Sequence, residues 1–254
     1  MTDEDARSPT SALRGRLADV YVPALVSGAL DALSRRLGNR ATIDDPLYGR
    51  ASSLASIDPL LARVSEWLAQ GKATYEHVGS TTGVDRDVAE GRVSMVVEGA
   101  PREVPIAVVA ERRRLREIEL RVYYAPTGRA KGRRARSALV SAGPQAPLSR
   151  VVASIVDGMR KGAIEAALAG FEEGARVVDA KGGVHAKQEG ALATFLASNL
   201  SEIELVLGGA ADDGRTSCIE ATLGKKGREH VPALLSFERG DSGLVREMRA
   251  YWEE

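Results

Sequence analysis

Between Pro126 and Arg150 the chain loses every sign of regular structure. The stretch PTGRAKGRRARSALVSAGPQAPLSR carries three prolines, three glycines and a run of basic residues, and shows no apolar period. A segment of this kind cannot be threaded through a core, so the 254 residues must build two cores rather than one, each of ordinary small-domain size. The boundaries this predicts are a disordered tail at 1–10, a first domain at 11–127, a basic Gly/Pro-containing linker at 128–148 and a second domain at 149–254. The same order of elements is legible on both sides: Ala/Leu-rich helical text, a short strand, another helix, then alternating strands that end in a Tyr-aromatic phrase. NRATIDDPLYG (39–49) aligns with EGARVVDAKGG (173–183), and IELRVYY (118–124) with REMRAYW (246–252). With one copy on each side, the pattern predicts a tandem duplication rather than a solenoid.

In the first half Leu13, Leu17, Val20, Tyr21 and Leu25, then Leu30, Leu33 and Leu37, recur at helical spacing, which puts Tyr21 on an apolar helix face interrupted by Pro23. Asp58 and Pro59 read as an N-cap and first helical residue, opening a short helix through Leu61, Val64, Trp67 and Leu68. ATYEHVGS, RVSMVVEG, EVPIAVVAE and REIELRVYY read as strands, with turns near Gly83, Gly91, Gly99 and Arg112–Arg114. Helices followed by a mostly antiparallel sheet give an α+β class.

Composition excludes several functions. Formal net charge is zero, so no global field recruits nucleic acid or an acidic membrane surface. The basic cluster Arg129, Lys131, Arg133, Arg134 and Arg136 lacks interleaved aromatics and reads as a solvated tether. No run reaches the ~20 apolar residues of a membrane span. The single cysteine, Cys218, suits a reducing compartment, and the opening MTDEDARSPTSALRGR has no apolar leader region, so a cytoplasmic protein is expected. Three scattered histidines, at 77, 185 and 230, predict no metal site, and no cofactor is expected.

The stretch YVPALVSGALDALSRRLGNRATIDDPLYG resembles the opening of a ketosteroid isomerase, with a tyrosine on the first helix and an aspartate in an A-T-apolar-acid-D-P phrase on the next strand. From about Leu17 to Tyr124 the layout is similar to the nuclear transport factor 2-like superfamily, which includes the SnoaL-like polyketide cyclases; the second half resembles it more loosely. The resemblance implies two tandem cone-shaped domains, each with helices packed on a strongly curved, mostly antiparallel sheet. It also implies that Asp45 stands at the general-base position and Tyr21 at the oxyanion-donor position. Ile43 and Leu47 are expected to share the face of Asp45, and Asp44 to face solvent.

The protonated acid that isomerases add to this pair falls on Ala107, and a methyl group cannot donate. Losing one such donor costs about 10²- to 10³-fold in turnover, which disfavours an efficient steroid isomerase. Trp67, Tyr75, His77, Ala107 and Leu120 are the expected pocket wall, with His77 a further acid or base if it alternates inward with Tyr75 and Gly79. In the second half Asp179 matches Asp45, but Ile155 replaces the tyrosine and Leu235 the acid, so no site is expected there. Two function classes fit these residues. One is an isomerase, cyclase or lyase acting on a small apolar, cyclic ligand through Asp45. The other is a non-catalytic ligand-binding or assembly module. Intramolecular pairing of the two domains, or a homodimer of tandem chains, would cover the sheets.

Overall fold

The computed structural model describes residues 15–113, 117–125, 148–200, 203–225 and 230–252. The expected tail and the basic cluster of the linker lie outside these residues. The first half runs α1 (Leu17–Ser27), α2 (Leu30–Leu37), β1 (Ala41–Asp45), β2 (Gly49–Ala51), α3 (Leu54–Gln70), β3 (Thr74–Thr82), β4 (Arg86–Val97), β5 (Ala100–Arg112) and β6 (Ile118–Tyr123). The second repeats that order as α4 (Arg150–Lys161), α5 (Ile164–Leu168), β7 (Phe171–Val178), β8 (Val184–Ala186), α6 (Ala191–Leu200), β9 (Ile203–Asp212), β10 (Thr216–Lys225), β11 (Val231–Arg239) and β12 (Val245–Trp252).

Each half forms its own six-stranded sheet, ordered β2-β1-β6-β5-β4-β3 and β8-β7-β12-β11-β10-β9. Among the described residues only β1 with β6 and β7 with β12 run parallel; the other pairings are antiparallel. The duplication is therefore present in three dimensions, and register makes it specific. Asp44 lies opposite Arg121 as Val178 lies opposite Arg249, so Asp45 and Asp179 occupy equivalent places.

Local sequence explains the helix ends. Both α1 and α4 stop at glycines in the left-handed conformation, Gly28 (φ 73°) and Gly162 (φ 67°), whose N–H groups turn back onto the last carbonyls. Tyr21 and Ile155 stand at the same distance before these glycines. Pro23 stays inside α1 without ending it. α3 starts earlier than expected, because Ser53 and Ser56 cap each other's backbone reciprocally. Asp58 instead accepts a hydrogen bond from Ser34 (2.7 Å), and Pro59 lies within the helix.

The turn between β4 and β5 is a two-residue hairpin, Glu98 and Gly99, both at positive φ. Gly91 is not a turn. It lies inside β4 opposite Ile106, and the Tyr75 ring covers it so closely that a Cβ there would sit 2.2 Å from the ring.

Each sheet packs its helices on one face and the other sheet on the opposite face. In β6, Leu120, Val122 and Tyr124, the residue that follows it, join the first helical core, while Arg121 and Tyr123 point to the second half. Val88, Ala107, Val109 and Tyr123 meet Ala211, Cys218, Leu234 and Tyr251 in an apolar layer between the sheets. Polar groups cross this layer with pseudo-two-fold symmetry. Glu220 accepts from both guanidinium arms of Arg121 (2.5 and 2.7 Å) and from the Tyr123 hydroxyl (2.6 Å). Glu90 accepts from Arg249 (2.9 and 3.0 Å) and the Tyr251 hydroxyl (2.9 Å), with Ser236 as a further donor. Arg86, wedged over Gly209, adds a second cation to Glu220. Such buried pairs contribute little against an apolar alternative, but leave a costly bare charge if one member is lost. No described helix is long and apolar enough to cross a membrane.

Candidate functional site in the first half

The cavity of the first half lies between α1, α3 and the inner face of the sheet. Its wall is apolar except at one end, where Tyr21 from α1, Asp45 from the end of β1 and Tyr124 from the end of β6 converge. The enclosed space is about 20 Å³, room for about one water-sized molecule. Half-buried Trp67 and buried Val64, from α3, close it.

Asp45 is 2% exposed. Its Oδ1 accepts hydrogen bonds from the backbone N–H groups of Leu47 (2.8 Å) and Tyr48 (2.9 Å), which closes the β1–β2 turn, and from the Tyr124 hydroxyl (3.2 Å). The Asp-Pro phrase is thus a turn starter and a cavity group at once. Tyr21 is fully buried, yet its hydroxyl makes no hydrogen bond. Burial above all, and the Asp45 carboxylate second, push the Tyr21 phenol well above its ordinary range, and the same two influences act on Tyr124. Both therefore remain protonated donors.

Of the expected site residues, Tyr21, Asp45 and Trp67 share this wall. Ala107 does not: it lies in the layer between the sheets, and its neighbour Ile106 lines the cavity. A one-residue slip along a strand exchanges its two faces. In the second half Leu234, not Leu235, is the counterpart of Ala107, since each lies opposite the interface tyrosine, while Leu235 belongs to the helical core. Leu120 is core beside Ile43, away from the wall.

Tyr75 lies over Gly91, where burial, then Asp19 and Glu90, push its phenol up to about 12. His77 keeps regular register with Tyr75, yet it is exposed and contacts Ser80 (3.1 Å), and the bulge in β3 follows it. Asp44, expected in solvent, is 8% exposed. Tyr124 is the group that pattern reading missed. Its signal was the alternation Leu120, Val122, Tyr124, which puts it on the helical face.

The equivalent place in the second half is built differently. Asp179 Oδ1 again accepts turn N–H groups, from Lys181 (2.9 Å) and Gly183 (2.8 Å), but its Oδ2 meets His185 Nε2 at 2.9 Å. Partial burial alone would raise this carboxyl, yet His185 and the turn donors outweigh it and hold Asp179 below the usual range. Phe195 stacks between His185 (4.6 Å) and Trp252 (6.3 Å), the residue that replaces Tyr124.

No protein-family model matches the chain, and no curated protein matches it. Solved structures similar to it include a hypothetical protein with ketosteroid isomerase-like fold from Catenulispora acidiphila in complex with trimethylamine. It is 18% identical, with 43% of this chain and 85% of that chain covered and a TM-score of 0.35. A SnoaL-like protein of unknown function from Burkholderia thailandensis is 13% identical over 42% of this chain and 98% of its own, with a TM-score of 0.35. A protein from Sphaerobacter thermophilus is 11% identical over 40% of this chain and 92% of its own, with a TM-score of 0.37.

Proposed function

We propose that the first half binds a small apolar, cyclic ligand carrying one oxygen acceptor, with Asp45 as proton acceptor and Tyr21 as the donor that steadies the developing charge. The second half is its structural partner. The observation that carries this reading is the Tyr21 hydroxyl, fully enclosed at the wall of an apolar cavity and without a hydrogen bond. A buried, unsatisfied hydroxyl costs about 1–3 kcal/mol, and a ligand oxygen would supply the missing acceptor. Asp45 at the same end supports isomerase, cyclase or dehydratase chemistry, in which a proton leaves one ligand atom while charge develops on another.

The test is a thermal-shift screen of planar hydroxylated polycyclic and enone compounds on wild type, Tyr21→Phe and Asp45→Asn. Stabilisation of the wild type that Tyr21→Phe abolishes is expected, with Asp45→Asn binding nearly as well but removing turnover. Binding indifferent to both substitutions, or no binding, favours a second reading, a non-catalytic assembly module. The narrowness of the cavity, about 20 Å³, is the observation that favours it.

A further inference from the structure

Glu119 is buried in β6, on the sheet face that also carries Arg121, and three guanidinium groups meet its carboxylate: Arg113 (2.7 Å), Arg50 (3.2 Å) and Arg121 (3.4 Å). Arg121 is also committed to Glu220 and Glu111. Arg50 and Arg113 are exposed, and together with Arg40 they line a cleft of about 310 Å³ at the start of β1 and β6. Half-buried Thr42 and exposed Ser52 bring two hydroxyls to the same wall, whose acidic groups are Glu117 and Glu119.

The second half shows which of these groups the fold itself requires. Glu247 lies opposite Arg176 as Glu119 lies opposite Thr42, and Val184 lies opposite Val178 as Arg50 lies opposite Asp44. Glu247 is held by Arg176 and Arg249. A glutamate at this place is therefore compensated by one cation on its own strand and one on the neighbouring strand. In the first half the neighbouring strand offers the short Thr42 instead, and Arg50 and Arg113 come in from β2 and from the end of β5. One carboxylate presents roughly four acceptor sites, against five N–H donors on each guanidinium. Arg50 and Arg113 thus bring more donors to the cleft than Glu119 can use.

We propose that this cleft binds the phosphate group of a small polar molecule such as a sugar phosphate. Three arginines against two glutamates leave its wall positive. A guanidinium fork matches two phosphate oxygens, and a tetrahedral group with three terminal oxygens can meet Arg50, Arg113 and the Ser52 and Thr42 hydroxyls from different sides, which a planar carboxylate cannot. The volume falls in the range of small-molecule sites, and the polar wall suits a hydroxylated body. The Tyr21–Asp45 cavity lies on the helical face of the same sheet, so the two sites stand or fall separately.

The experiment is isothermal titration calorimetry of the full-length chain at low ionic strength with ribose 5-phosphate, ribose and ribonate. Saturable binding of ribose 5-phosphate is expected, with ribose and ribonate binding far more weakly. Arg50→Gln leaves Glu119 with Arg113 and Arg121 and should raise the Kd about tenfold or more, the loss of a charge-assisted contact. Ser52→Ala, at an exposed position, should weaken binding by about threefold and keeps the proposal testable if Arg50→Gln fails to fold. No saturable binding of ribose 5-phosphate at millimolar concentration, equal binding of ribonate, or an affinity that neither substitution moves would overturn it.

Discussion

A phenol enclosed without a partner costs the ligand-free protein stability, which gives Tyr21 an unusual sign. Tyr21→Phe removes the orphan hydroxyl and leaves the ring, so thermal unfolding should shift upward, by the equivalent of about 1 kcal/mol. A downward shift in a differential scanning measurement would mean that the hydroxyl is satisfied in solution. Tyr21 and Asp45 were legible through the resemblance carried by the stretch that holds them, not through spacing alone. Tyr124 was not. Its importance comes from meeting Asp45 across 79 positions, a contact that only the parallel pairing of β1 and β6 creates. Ala107 shows the opposite error, since strand alternation tells which residues share a face but not which face is inward.

At the scale of elements, caps decide where helices begin. The reciprocal pair Ser53 and Ser56 fixes the start of α3 and, through it, the positions of Val64 and Trp67 on the cavity wall. Ser53→Ala is expected to cost about 1 kcal/mol in urea unfolding. Ligand entry must displace a wall side chain, and Trp67 is the half-buried one on α3. A compound that binds should therefore change the emission of Trp67, a change absent in Trp67→Phe. The sequence drew attention to Asp58-Pro59 because Asp-Pro is a strong local signal. The Ser53 cap won because it satisfies two backbone groups at once, while Asp58 found a partner on α2.

At the scale of the whole molecule, the two sheets are tied by Glu90 with Arg249 and by Glu220 with Arg121. Glu220→Gln leaves two buried guanidinium groups, those of Arg121 and Arg86, with weakened compensation, and a loss of about 3–5 kcal/mol in chemical unfolding is expected. Acid should act on the same layer. Burial by itself raises Glu111, Glu238 and Glu247, but Arg121 and Arg86 around Glu111, and Arg249 with Arg246 or Arg176 around the others, outweigh it and hold all three low. The stability they contribute is therefore complete above the unfolded glutamate value of about 4.3 and is lost as pH falls through the lower folded values. Melting temperature should hold from pH 7 to about 5 and fall steeply below about 4. A flat profile down to pH 3 would show that these pairs do not tie folding to protonation.

By itself the sequence determined the double architecture, the α+β class and two members of the cavity end. The first two rest on local properties, a segment that cannot pack, a periodicity and a phrase repeated in matching places, and the two residues on the resemblance of the stretch that carries them. Only the tertiary structure decided which face of each strand is inward, that Tyr124 joins Asp45, that Phe195 lies between His185 and Trp252, and that Glu90 and Glu220 change halves to find their arginines. Those outcomes depend on pairings between residues far apart in the chain, and a pairing partner is a property of register and packing that no local pattern encodes.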